Sequence, residues 1–99
     1  MGAFRLRVAA ERDLLDLAIE GHSRWGDDVM RRYVTALDAV FHTLAESPHL
    51  GRACPEIRPG VRRLQQGSHM AYYRLTDDGV VDILRILHER MLPAGQLRH

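Results

Sequence analysis

The sequence predicts an α+β fold in the order β-α-α-β-β-β, an antiparallel sheet packed on one face by a helical hairpin. Three observations carry this prediction. Apolar residues recur at three- and four-residue steps from about residue 10 to residue 46. After Gly60 the period changes to two. The strongest turn signal, Asp78-Gly79, divides the second half into strands. Helices and strands thus occupy separate parts of the chain, and a layered α+β domain is the way to bury both.

The first element is a short strand. Phe4-Arg5-Leu6-Arg7-Val8 alternates apolar and basic residues, as a half-buried strand does. A helix follows over about 10–24, with Asp and Glu crowding its first turns. Leu14, Leu15, Ala18, Ile19 and His22 are expected to form its apolar face. Trp25-Gly26-Asp27 interrupts the pattern, with Gly26 as a stop and Asp27 as a cap. The second helix is the clearest element. Met30, Tyr33, Val34, Leu37, Val40, Phe41 and Leu44 mark its core face, and Ser47-Pro48 ends it. Two helices with so short a link form an antiparallel hairpin.

Residues 48–60 contain three prolines and two glycines and read as an irregular loop. Three strands follow: Val61–Gln65, His69–Leu75 and Val80–His88. Turns are expected at Gln66-Gly67-Ser68 and Thr76–Gly79. The last strand is rich in β-branched residues, which marks it as central. The first strand must pair somewhere, and the sheet face away from the helices is expected to stay partly open to a partner. The tail from Glu89 onwards, broken by Pro93 and Gly95, is expected to be loosely ordered.

Composition narrows function. The 99 residues suit one domain spanning 1–99. No apolar run is long enough to span a membrane, and the N-terminus has no secretion-signal core, so the cytoplasm is the expected location. The single cysteine, Cys54, excludes an internal disulfide, and no histidine spacing suggests a metal site. No metal and no cofactor are expected. Nucleotide-binding glycine fingerprints and the GxSxG elbow are absent. All 14 basic residues are arginine. Any chemistry that requires a lysine is excluded. The first 50 residues carry six Arg against eight acids and the remainder eight against five. An anionic partner would meet the C-terminal half.

Three features can carry chemistry. Arg85, His88 and Arg90 cluster near the end of the last strand, where they could serve as acid/base and phosphate clamp. The plainer reading is a polar strand end. Arg62-Arg63 with His69, Tyr72 and Tyr73 form a second group. In a strand, adjacent residues face opposite ways, so one Arg and one Tyr at most share a site. The plainer reading is sheet packing, with arginine stems over apolar rings. Trp25 at the hairpin tip is a packing wedge, the preferred reading, or a protein contact.

The motif order resembles the ParE branch of the RelE/ParE toxin family. The resemblance begins with the opening strand followed by Ala9-Ala10-Glu11-Arg12-Asp13-Leu14. It continues through Trp25-Gly26, Leu44-Ala45-Glu46-Ser47-Pro48, Gly51-Arg52 and Pro59-Gly60-Val61-Arg62. His69-Met70-Ala71-Tyr72-Tyr73-Arg74 and Ile83–Met91 complete it. These segments cover nearly the whole chain in order. The resemblance implies the same fold, a toxin role in a type II toxin–antitoxin pair, and a hetero-oligomer with a ParD-like antitoxin. It implies DNA gyrase as target, with no catalytic activity of the chain's own and no direct nucleic-acid contact. On that reading Arg62, Arg63, Arg85, His88 and Arg90 meet the target, and Leu14, Trp25, Tyr33 and Leu37 meet the antitoxin. The alternative is a RelE-type ribosome-dependent mRNA endonuclease, with Arg63 and Arg85 on the scissile phosphate and His88 as acid or base. The chain departs from the RelE pattern in having no lysine and no tyrosine near its C-terminus.

Overall fold

The structure, a computed structural model, describes residues 2–91 and residue 97. Its elements run β1 (Ala3–Leu6), α1 (Val8–Trp25), α2 (Asp27–Glu46), β2 (Arg52–Ala53), β3 (Val61–Gln66), β4 (His69–Leu75) and β5 (Val80–His88). Most of the expected tail lies outside the described residues.

The sheet is five-stranded, in the order β1-β5-β4-β3-β2. The meander β3-β4-β5 is antiparallel, as its turns require, with Gly67 and Gly79 at positive φ in the two turns. Two features extend the expected antiparallel sheet. β1 joins the outer edge of β5 in parallel, pairing Ala3–Leu6 with Val80–Ile83. The hairpin α1–α2 and the meander return the chain to that edge in the same direction. In addition, the proline-rich loop contributes a two-residue strand, β2, against β3. β5 is therefore an interior strand, and Val81–Leu84, Ile86 and Leu87 are all buried. This is what an apolar run predicts.

The two helices cover one face. Met30, Leu37, Phe41 and Leu44 of α2 meet Ala71, Tyr73, Val81, Ile83 and Ile86 of the sheet in one core. Gly21 lets the helices close on each other, because a Cβ there would lie 2.1 Å from Met30 Sδ. Gly26 ends α1 and starts α2 at φ 85°. Asp27 does not cap α2. It pairs with Arg31 one turn on.

The apolar face of α1 differs from the expected one. Ala10, Leu17 and Gly21 are buried and Leu14 is half-buried, whereas Leu15 and Ile19 are 59% and 62% exposed. Positions 10, 14, 17 and 21 follow the helical repeat as well as the expected set does. The two sets differ only in which side of α1 turns to the sheet and α2, which periodicity does not encode.

The face away from the helices is not left open in the way expected. Cys54, Val61, Tyr72, Leu84, Leu87 and Leu97 form a second core there, with Ile57 and Met70 against it. The loop of residues 48–60 folds over this face, so its length serves packing. It is tied down by Tyr73, whose hydroxyl donates to Pro48 O at 2.7 Å and accepts from Gly51 N at 2.8 Å.

Candidate functional site

The expected target contacts separate once the chain is folded. Arg62 and Arg63 do face opposite ways. Arg62 donates to the carbonyl of Gly51 at 2.7 Å and clamps the loop. Arg63 shares a cross-strand row with Tyr72 and Arg85. Arg85 is not a waiting phosphate clamp. Its Nε and Nη2 donate to both carboxylate oxygens of Asp13, at 2.7 and 2.8 Å. Asp13 also accepts from Ile86 N at 2.9 Å. β1 stops at Leu6, opposite Ile83, so that amide lies beyond the reach of its neighbouring strand. The start of α1 thus satisfies the edge of β5, and the Asp13 hydrogen bonds raise the Arg85 pKa.

His88 lies three residues from Arg85 on the same strand, an odd spacing that turns it to the other face. Ile86 in the helix-side core and Leu87 in the opposite one fix that alternation. Arg63, Arg85 and His88 therefore do not converge. Arg90 is exposed in the turn after β5, where its amide bonds to His88 Nδ1 at 3.2 Å.

His88 instead lines a groove of about 370 Å³ on the helix side, at the hairpin tip. Leu17, Trp25, Val29 and Met30 form its apolar walls, and Tyr33, Ser68, His69 and His88 its polar end. Tyr33 organises that end. Its hydroxyl lies 2.7 Å from His69 Nδ1, accepts from Ser68 N at 3.2 Å and donates to Gln66 O at 2.9 Å. The His69 ring meets Tyr33 and His88 edge-on, each at 5.5 Å between centroids. Burial, then the nearby His88, hold the His69 pKa below the usual histidine value. The polar end offers hydrogen-bonding groups, and Glu20 and Arg24 bring one charge of each sign to the groove lining.

The antitoxin set fares unevenly. Tyr33 is half-buried in this groove and Trp25 is 59% exposed at its rim, so the packing reading of Trp25 is not met. Leu14 is half-buried beside a second, shallower groove with Leu6, Val34 and Phe41. Leu37 is fully buried and has no surface to give a partner. Periodicity placed it on the correct face of α2, but that face is turned inward. Among the apolar residues that reach the surface, Trp25 and Val29 line the groove, and Leu15 and Ile19 lie elsewhere on α1. The sequence pattern alone counts Leu15 and Ile19 as core.

Sequence reasoning also missed Asp82, Arg5 and Arg7. Asp82 is fully buried, with Arg5 Nε at 3.0 Å and Arg7 Nε at 2.8 Å. An acid inside the apolar run of residues 80–87, and two arginines two positions apart, Arg5 in β1 and Arg7 just past its end, were the available signals. Burial pushes the Asp82 carboxyl up, but the bonds and charges of the two arginines outweigh it and hold it below the usual carboxylate range. Among the described residues no three side chains of His, Cys, Asp or Glu gather where they could hold a metal.

Comparison with known proteins places this arrangement. Residues 4–93 match the family described as ParE toxin of type II toxin-antitoxin system, parDE. Toxin ParE1 of Mycobacterium tuberculosis (strain CDC 1551 / Oshkosh) is 41% identical over 88 residues, covering 89% of this chain and 90% of that protein. Toxin ParE1 of Caulobacter vibrioides is 37% identical over 92 residues, covering 92% and 93%. Among solved structures, a chain of the chromosomal ParDE system from P. aeruginosa superposes with a TM-score of 0.75 at 22% identity, over 89% of this chain and 96% of that one. A chain of the RelBE2 toxin–antitoxin complex from Mycobacterium tuberculosis gives 0.65 at 22% identity, over 88% and 96%. The fold is therefore shared across both branches, while sequence identity singles out one of them, and the chain belongs to the ParE toxin family of type II toxin–antitoxin systems.

Proposed function

We propose that this toxin acts in the cytoplasm by binding DNA gyrase, that it cuts no RNA itself, and that a ParD-like antitoxin neutralises it. The observation that carries this reading is the dispersal of the nuclease set. Arg85 is committed to Asp13, and His88 faces the helix-side groove. A general acid or base has to lie within hydrogen-bond reach of the group it serves, and the phosphate clamp has to share its site. The family membership and the absence of lysine support the same branch. Purified toxin should inhibit supercoiling by gyrase and leave ribosome-bound mRNA intact. Gyrase unaffected over a generous toxin range would overturn the target.

The antitoxin surface follows from exposure. Leu15 and Ile19 lie one turn apart on the exposed face of α1, and Trp25 and Val29 line the groove that holds Tyr33. An amphipathic segment that folds on binding would lay its apolar side chains here. Leu14 is a peripheral contact at most, and Leu37 belongs to the core. Ile19→Asp should abolish capture of the toxin by the antitoxin encoded beside it, without loss of fold. Undiminished capture would move the interface elsewhere.

A further inference from the structure

The sheet face turned away from the helices holds a charge arrangement that the gyrase and antitoxin reading leaves unused. Asp82 sits within β5 with no exposed surface. A buried carboxylate is costly unless paired. Arg5 and Arg7 each pair with it through Nε alone, one on each oxygen. Among the described residues their terminal amino groups have no hydrogen-bond partner, and the two side chains stay 58% and 53% exposed. One acid thus holds two guanidinium forks side by side with their donors outward.

Register adds a third base. Arg5 on β1 and Arg74 on β4 both lie opposite Asp82, so the three form a row over adjacent strands. Arg74 is exposed and forms no ion pair among the described residues. The neighbouring row on this face continues with Tyr72, Arg63 and Arg52 on β4, β3 and β2. At a strand spacing of about 4.8 Å, the basic groups extend over roughly 19 Å from β1 to β2. Asp77 and Asp78 in the β4–β5 turn add two negative charges at the margin, Asp78 accepting from the Thr76 hydroxyl.

We propose that this arginine face binds the phosphodiester backbone of nucleic acid, with Arg5 and Arg7 as its fixed centre and Arg74 as the flanking contact. Guanidinium forks match phosphate oxygens in geometry, and a preorganised fork loses little freedom on binding. An acidic protein segment is the competing occupant. A folding protein partner brings apolar side chains that need apolar surface. This face offers none of size: Val61, Tyr72, Leu84 and Leu87 are buried. A string of basic groups without an apolar companion suits a polymer that repeats one negative charge. The proposal departs from the expectation that no nucleic acid is touched directly, and it stands independently of the gyrase reading.

The test uses the purified full chain and a fluorescently labelled 20-base-pair DNA duplex, with anisotropy read over a range of salt. Wild type should bind at low salt, with log Kobs falling linearly against log salt. Arg74→Gln should weaken binding at least threefold and reduce the slope by about 0.9, the value of one lost phosphate contact. Arg31→Gln, on the exposed face of α2, should change neither. In the wild type, the Nε–H resonances of Arg5 and Arg7 should shift as duplex is added. That readout does not depend on any variant folding. Three results would overturn the proposal: no binding at low salt, equal weakening by Arg31→Gln, or unmoved Arg5 and Arg7 signals. Displacement of the duplex by polyglutamate at equal charge would assign the face to an acidic protein instead. Gyrase inhibition is not read in this experiment, so its failure and the failure of the toxin's proposed target remain distinguishable.

Discussion

Tyr73 illustrates how much of this molecule is decided by single polar atoms in buried places. Its one hydroxyl bridges Pro48 O and Gly51 N and holds the loop of residues 48–60 across the second core. Tyr73→Phe leaves both backbone groups unpaired and should cost about 1–3 kcal/mol in denaturant unfolding. A cost near zero would mean that the loop is held by its apolar contacts alone. His69 sets a pH dependence. Its folded-state pKa lies below the ordinary histidine value of 6.5. The unfolded chain therefore takes up a proton first as pH falls. The stability contribution is complete above about pH 6.5 and is lost progressively below it. His69→Asn should flatten the stability profile between pH 7 and pH 5, and an unchanged profile would show that another group titrates there. Such effects were only partly legible in the sequence. Arg62 and Arg63 on opposite faces follow from strand alternation, but the Asp13–Arg85 pair spans 72 positions and only the folded chain reveals it.

Every element was legible in the sequence except β2, because each of the others carries its own period or turn. Two residues of extended chain give no periodic signal, so β2 was read as loop. The parallel pairing of β1 was equally hidden, since a short strand shows what it buries and not which edge it joins. The helices show where periodicity succeeds and where it stops. On α2 the apolar stripe is broad, and of the five buried residues Met30, Leu37, Phe41 and Leu44 lie within the expected face, with Ala45 beside them. Phe41→Ala should cost about 3–5 kcal/mol. A cost below about 1 would place Phe41 outside the core. On α1 two stripes compete, and the exposed one, with Leu15 and Ile19, is free for a partner. Ile19→Asp should change stability by no more than about 0.5 kcal/mol while it removes antitoxin binding.

Over the whole molecule, three surfaces divide the work. The exposed apolar residues of α1 and the groove at the hairpin tip form the surface proposed for a folding partner. The arginine face lies on the other side of the sheet, and between them the two cores fix the distance. The nuclease alternative required residues from both sides of the sheet to act on one phosphate, and the fold keeps them apart. That separation is why a binding toxin is the reading proposed, and it has a direct test in cells. The chain is expressed alone under an inducible promoter, and morphology and the DNA-damage response are followed beside bulk mRNA integrity. The account predicts filamentation with an induced damage response while mRNA remains intact. Rapid loss of translation with cleaved mRNA, and no damage response, would contradict it and make the dispersed Arg63, Arg85 and His88 an active site after all.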